Sequence, residues 1–195
     1  MIGRRRACSI GALAAAVAIA TAGGATGETR PINVGQSKLT VFVYKSGLFS
    51  AFADNHEIAA PIASGSISED APLSVELTVH AASLRVLDPD LAPSRRSDVQ
   101  TRMLGPEVLD VANFPEITFV STAIEPAGQD RWQASGRLTI HGHTQPVRFA
   151  VLRQNGTYRG DAAIKQRDFG IAPITVAGGT VKVKDEVKVQ FEIAR

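Results

Sequence analysis

Four histidines, and the spacing of two of them, are the first place to look for chemistry in this chain. His141-Gly142-His143 sets two imidazoles at i and i+2, which on a strand point to the same side and could share a metal ion. A third ligand would have to come from His56, His80 or a carboxylate distant in sequence. Such a centre would support a metal-assisted hydrolase or isomerase using His141, His143 and His56. Arg167-Asp168 reads as a structural charge pair or loop anchor before it reads as an acid–base couple. No serine nucleophile motif, His-Glu-x-x-His, phosphate loop or Gly-x-Gly-x-x-Gly in a βαβ setting is present. The single cysteine, Cys8, lies among the first residues, and thiol chemistry is not expected of the folded domain. The weight of these observations falls on a protein that is not an enzyme, with no cofactor and no metal.

Those residues must be positioned by a core. The chain has 195 residues, 44% hydrophobic and 21% charged, which is an ordinary globular composition and excludes wholesale disorder. Arg4, Arg5 and Arg6 precede an alanine-rich apolar run from Ile10 to Ala20, followed by the small residues of Ala20-Thr21-Ala22. This is the pattern of a secretory signal peptide over residues 1–22, too short in its apolar part for a permanent span. The expected location is periplasmic or secreted, with the exported chain starting near Gly23. Cleavage there leaves 173 of the 195 residues, and basic residues fall from 21 to 18 against 19 acidic ones. A domain so close to neutral offers no electrostatic case for nucleic acid. Without cysteine it folds without disulfides and depends on its apolar core.

Most of the remaining chain alternates at period two. Leu39, Val41 and Val43 recur in one segment, and Val75, Leu77 and Val79 in another, with Glu76, Thr78 and His80 between them. Ile117 to Val120, Leu138 to Ile140 and Val147 to Val151 follow. The C-terminal stretch sets Val181, Val183, Val187, Val189, Phe191 and Ile193 against Lys182, Lys184, Lys188, Gln190 and Glu192. Such alternation, rich in β-branched residues, marks half-buried antiparallel strands. Asn155-Gly156 predicts a tight hairpin, and Ala127 to Asp130 a looser link. Ser97-Asp98-Val99-Gln100 predicts a capping box and a short helix ending at Gly105, with Pro106 starting a further turn through Leu109. The fold class is therefore all-β: a sandwich or, because closure removes exposed edges, an antiparallel barrel with a short helical insertion around residues 98–110.

At several points the residues resemble a known family. The matching segments are Ser83-Leu84, Val99 to Met103, Val108-Leu109-Asp110 and Phe114 to Phe119, then Gly136 to Thr144, Arg167 to Ile171 and Val183 to Val187. They run in order from about residue 36 to the C-terminus, and together they resemble the YceI-like family of exported, lipocalin-like, polyisoprenoid-binding proteins. The resemblance implies an eight-stranded, elongated antiparallel barrel over residues 36–195, after a lead-in at 23–35, with a long apolar cavity for an isoprenoid or similar amphiphile. It implies that His141 and Gly142 form a strand-to-turn signature, leaving His143 as a solvated turn residue. The chain departs from the family pattern at Lys45-Ser46-Gly47, where members carry a His-Leu-Gly-like element, while a histidine arrives later in Asp54-Asn55-His56-Glu57. That departure bears on the ligand and not on the fold, and it makes His56 a candidate polar group at the cavity mouth.

The expected ligand-contacting set is Leu39, Val41, Val43, His56, Val75, Leu77, Val79, Met103, Phe119, Leu138, Ile140, Phe149, Phe169, Val189 and Phe191. Most of these side chains are of modest size, and an eight-stranded barrel lined by them has room for one slim ligand. The expected partner is an isoprenoid, quinone or similar lipid, bound by a monomer or homodimer, with room for peripheral contact with a membrane or a membrane protein. The competing reading is a filled barrel that serves as an interaction module.

Overall fold

The computed structural model describes residues 28–46, 55–176 and 181–195. The expected leader, together with Gly47 and Asp54, lies outside the described residues. Within them the order is β1 (Thr29–Pro31), β2 (Lys38–Ser46), β3 (His56–Ala59), β4 (Ile62–Ser68), β5 (Ser74–His80), β6 (Arg85–Val86) and α1 (Pro93–Leu104). Then come β7 (Glu116–Gly128), β8 (Arg131–Ile140), β9 (His143–Gln154), β10 (Thr157–Lys165), β11 (Thr175–Val176) and β12 (Val181–Ala194). All pair antiparallel in one curled sheet, ordered β1-β4-β5-β7-β8-β9-β10-β12-β2-β3-β6, with β11 added to β12.

The sheet has twelve strands where eight were expected, and local chemistry accounts for the difference. β1, β6 and β11 are two- or three-residue additions. β3 and β4 are two halves of one segment, interrupted where Ala60 still donates to the Leu39 carbonyl (2.9 Å) but Pro61 has no N–H to give. The first half pairs with β2 and the second with β5, so this bent segment joins the two ends of the curled sheet. Counting it once and leaving out the three short additions returns the eight walls of a lipocalin-like barrel.

The turns follow from residues that tolerate positive φ. Asn155 (φ 52°) and Gly156 (φ 79°) make the expected two-residue hairpin between β9 and β10. The link at Ala127 to Asp130 is tighter than expected: β7 continues to Gly128, which pairs with Arg131, and Asp130 turns at φ 52°.

The helix starts earlier than its capping box predicts. α1 begins at Pro93, whose missing N–H costs nothing in a first turn, and Ser97 lies inside the helix. Gln100 does not reach back to the N-terminus, because its amide is engaged elsewhere. Its Oε1 accepts from the Val86 N–H and its Nε2 donates to the Leu84 carbonyl, both at 2.8 Å, so it docks α1 onto β6. The helix ends at Gly105 as expected, and residues 106–109 form turns. Met103 is buried against a core that includes Leu84, Leu109, Phe169 and Ile171, so α1 covers one end of the barrel.

Candidate functional site

Period-two alternation sends one face of every long strand inward, and together those faces enclose a cavity of about 380 Å³. Its wall carries Leu39, Val41 and Val43 of β2, Val75, Leu77 and Val79 of β5, and Phe119 of β7. Leu138 and Ile140 of β8, Phe149 of β9, and Val189 and Phe191 of β12 continue it, with Met103 of α1 and Phe169 at the covered end. Phe119, Phe149 and Phe191 form a ladder with centroids 5.5 and 5.3 Å apart. Glycine makes room for it: a Cβ on Gly160, directly opposite Phe191, would lie 2.5 Å from that ring. The rings thus lie against bare backbone, and the space they leave stays in the middle of the barrel.

The two ends differ. At one, Leu84, Met103, Leu109, Phe169 and Ile171 are all buried. At the other, near the Asn155-Gly156 and Gln129-Asp130 turns, the lining residues Glu69, Trp132, Arg153 and Tyr158 are partly exposed. Tyr158 donates to Glu69 Oε1, and Arg195 pairs with Glu69 Oε2. Burial raises the Tyr158 pKa above the ordinary phenol value; Arg153 opposes that shift and Asp130 adds to it. The phenol therefore stays protonated across the physiological range and remains a donor. None of these residues belongs to the sequence-derived set. One signal did exist, for Arg153 falls in phase with inward-facing Val147, Phe149 and Val151, a charge where an apolar residue is due.

His56 stands apart from the cavity wall. It opposes Val43 and shares a face with Ile58, but Nδ1 hydrogen-bonds Asp88 Oδ2 at 2.6 Å, and the Glu57 N–H donates to Oδ1 at 2.8 Å. Asp88 is 8% exposed, a buried carboxylate that needs these donors. Replacing His56 by alanine is expected to cost about 1–3 kcal/mol of stability. Lipid uptake should stay unchanged, as read by parallel melting and binding measurements.

His141 and His143 do not form the metal pair that strand spacing suggests. His141 (φ 51°) and Gly142 (φ 72°) are the two turn residues between β8 and β9, and Ile140 pairs with His143. The i, i+2 rule applies to a continuous strand, and the chain reverses between these residues. Their rings lie parallel with centroids 6.0 Å apart, His141 packs on Phe114 at 4.3 Å, and His143 Nδ1 bonds the His141 carbonyl at 2.8 Å. No group of three or more metal-binding side chains assembles among the described residues. Arg167 and Asp168 serve as a loop anchor: the Arg167 N–H donates to Asp185 Oδ1 (2.9 Å) and the Asp168 carbonyl accepts from Gln145 (2.8 Å).

Comparison with known proteins agrees with this architecture. A UPF0312 protein of Pseudomonas putida (strain W619) is 38% identical over 88 residues, covering 40% of this chain and 46% of that one. A UPF0312 protein of Pseudomonas savastanoi pv. phaseolicola is 36% identical over 75 residues, or 33% of this chain and 39% of the relative. These matches thus span less than half the length of either relative. The structure of Burkholderia cenocepacia BcnA superposes with a TM-score of 0.65 at 24% identity, covering 83% of this chain and 98% of that one, which speaks to the fold alone. The YceI-like domain matches residues 32–194, nearly the whole of the described barrel, and the chain belongs to the YceI-like family.

Proposed function

We propose that the protein is an exported carrier that holds an isoprenoid, quinone or comparable amphiphilic lipid in its barrel cavity and catalyses no reaction. The single observation that carries this reading is an apolar cavity of about 380 Å³ with lining residues on every long strand. A barrel that served only as a packed scaffold would fill that volume with side chains, since interiors are close-packed and voids cost stability. Membership of a family known for polyisoprenoid binding supports the same ligand class. The apolar leader pattern supports export, and an exported carrier meets lipids that are already out of water. Relative to a membrane the apolar gain on binding nearly cancels, which suits exchange and carriage more than tight storage.

Val41→Trp is the direct test. Val41 lies mid-strand between Val189 and Ile58 with its side chain on the cavity wall. In a filled core the larger side chain would overpack, at about 1–3 kcal/mol. Here the expected result is a melting temperature close to the parent's together with loss of the lipid mass seen by native mass spectrometry of protein purified from its own cells. A sharp fall in stability, with no lipid on the parent protein, would overturn the proposal.

A further inference from the structure

We infer that the cavity is built for a single-chain amphiphile with about fifteen tail carbons and one negative charge, its head group held by Arg153 at the end remote from α1. This rests on reading the cavity as a lipid site.

The size follows from volume. A cavity of about 150 Å³ accommodates benzene, or about 25 Å³ per carbon. By that measure about 380 Å³ takes a chain of about fifteen carbons. A much longer polyprenyl chain would leave most of its length outside.

The charge follows from the lining. Arg153 is the one basic residue among the described residues lining the cavity, and Glu69 the one acidic residue. Glu69 is already neutralised by Arg195 and accepts from Tyr158. Arg153 sits on the inward face of β9 opposite Tyr158, its guanidinium 5.6 Å from that ring's centroid. It enters no ion pair among the described residues. A guanidinium presents paired donors that match a carboxylate in a plane, and stacking on Tyr158 holds it ready. One uncompensated positive charge suits one negative charge. A diphosphate would set extra charge against Glu69 and against Asp130, whose field reaches the same phenol. At the covered end, Leu84, Met103, Leu109, Phe169 and Ile171 offer the tail a dry terminus.

The test uses the delipidated full chain and the neutral fluorophore N-phenyl-1-naphthylamine, displaced by n-alkanoic acids and matched n-alcohols of graded length, kept below their micelle concentrations. Near neutral pH the acids are ionised. Affinity should rise about fourfold per methylene and level off near a chain of about sixteen carbons. Acids should outcompete alcohols of equal length by about tenfold, the scale of a charge-assisted contact. Arg153→Gln should erase that preference and leave alcohol binding intact, and Arg153→Lys should keep part of it. Arg159→Gln, on the outer face and paired with Glu192 at 3.6 Å, should change nothing. Equal binding of acids and alcohols by the parent protein, an Arg153→Gln variant that keeps the acid preference, or affinity still climbing well past twenty carbons would overturn this inference while leaving the lipid-carrier reading standing. Failure of the fluorophore and of every chain to bind would sink the carrier reading itself.

Discussion

Phe169→Ala should lower stability by about 3–5 kcal/mol, among the largest losses available to a single truncation in this protein. Phe169 is only 2% exposed and is the largest fully buried side chain among the described residues. It closes a short 3₁₀ turn, Gln166–Phe169, that is fastened to β12. Gln166 Nε2 donates to the Lys184 carbonyl (2.8 Å), Asp185 holds the Arg167 N–H (2.9 Å), and Gly170 exits at φ 75°. Because these bonds fix the backbone, the wall cannot collapse into the space a truncated ring leaves, and the full cavity cost should appear. Urea titration should show a lower midpoint at unchanged slope. The comparison is Leu152→Ala, at a residue 37% exposed on the outer face of β9, where a change within about 0.5 kcal/mol is expected. Equal losses for the two would mean that Phe169 does not seal the barrel.

Val189→Asp should have an effect of comparable size for a different reason. Val189 lines the cavity, and its partners on the two flanking strands, Val41 and Ala162, are both apolar. An ionised carboxylate there is desolvated without compensation, so the variant either unfolds or holds the group protonated, at a cost of several kcal/mol. One residue earlier, Lys188 points outward and lies 3.5 Å from Asp161. Lys188→Asp loses that exposed pair and places like charges together, worth no more than about 1 kcal/mol. Thermal melts of the two variants should therefore separate widely. Similar melts would place the strand register one residue away from that shown by the Val189–Val41 pairing.

Some features were readable because they depend on neighbours in the chain. Alternation in Val75 to Val79 and in Val187 to Ile193 assigns faces as well as strands, because successive side chains on a strand point opposite ways. Asn155-Gly156 specifies its hairpin through the backbone conformation its residues tolerate. Gly105 stops α1 where expected. The helix start was misread for a physical reason: Ser97 to Gln100 has the chemistry of a cap, but the Gln100 amide is claimed by Val86 and Leu84, partners brought close only by folding.

The site shows the same division more sharply. His56 looked like a mouth residue because a histidine close to the family's own stood out in the chain. In three dimensions Asp88, distant in sequence, claims its ring, and α1 covers that end of the barrel. Arg153 drew no attention beside an ordinary strand, yet the barrel places it at the other end with Tyr158 and Glu69. Local rules thus determine which residues form strands and which faces turn inward, since both depend on backbone geometry within a few residues. Which end of the barrel is covered, which charge among the described residues lines the cavity without an ion pair and how much volume remains depend on contacts between segments far apart in sequence, and only the closed sheet decides them.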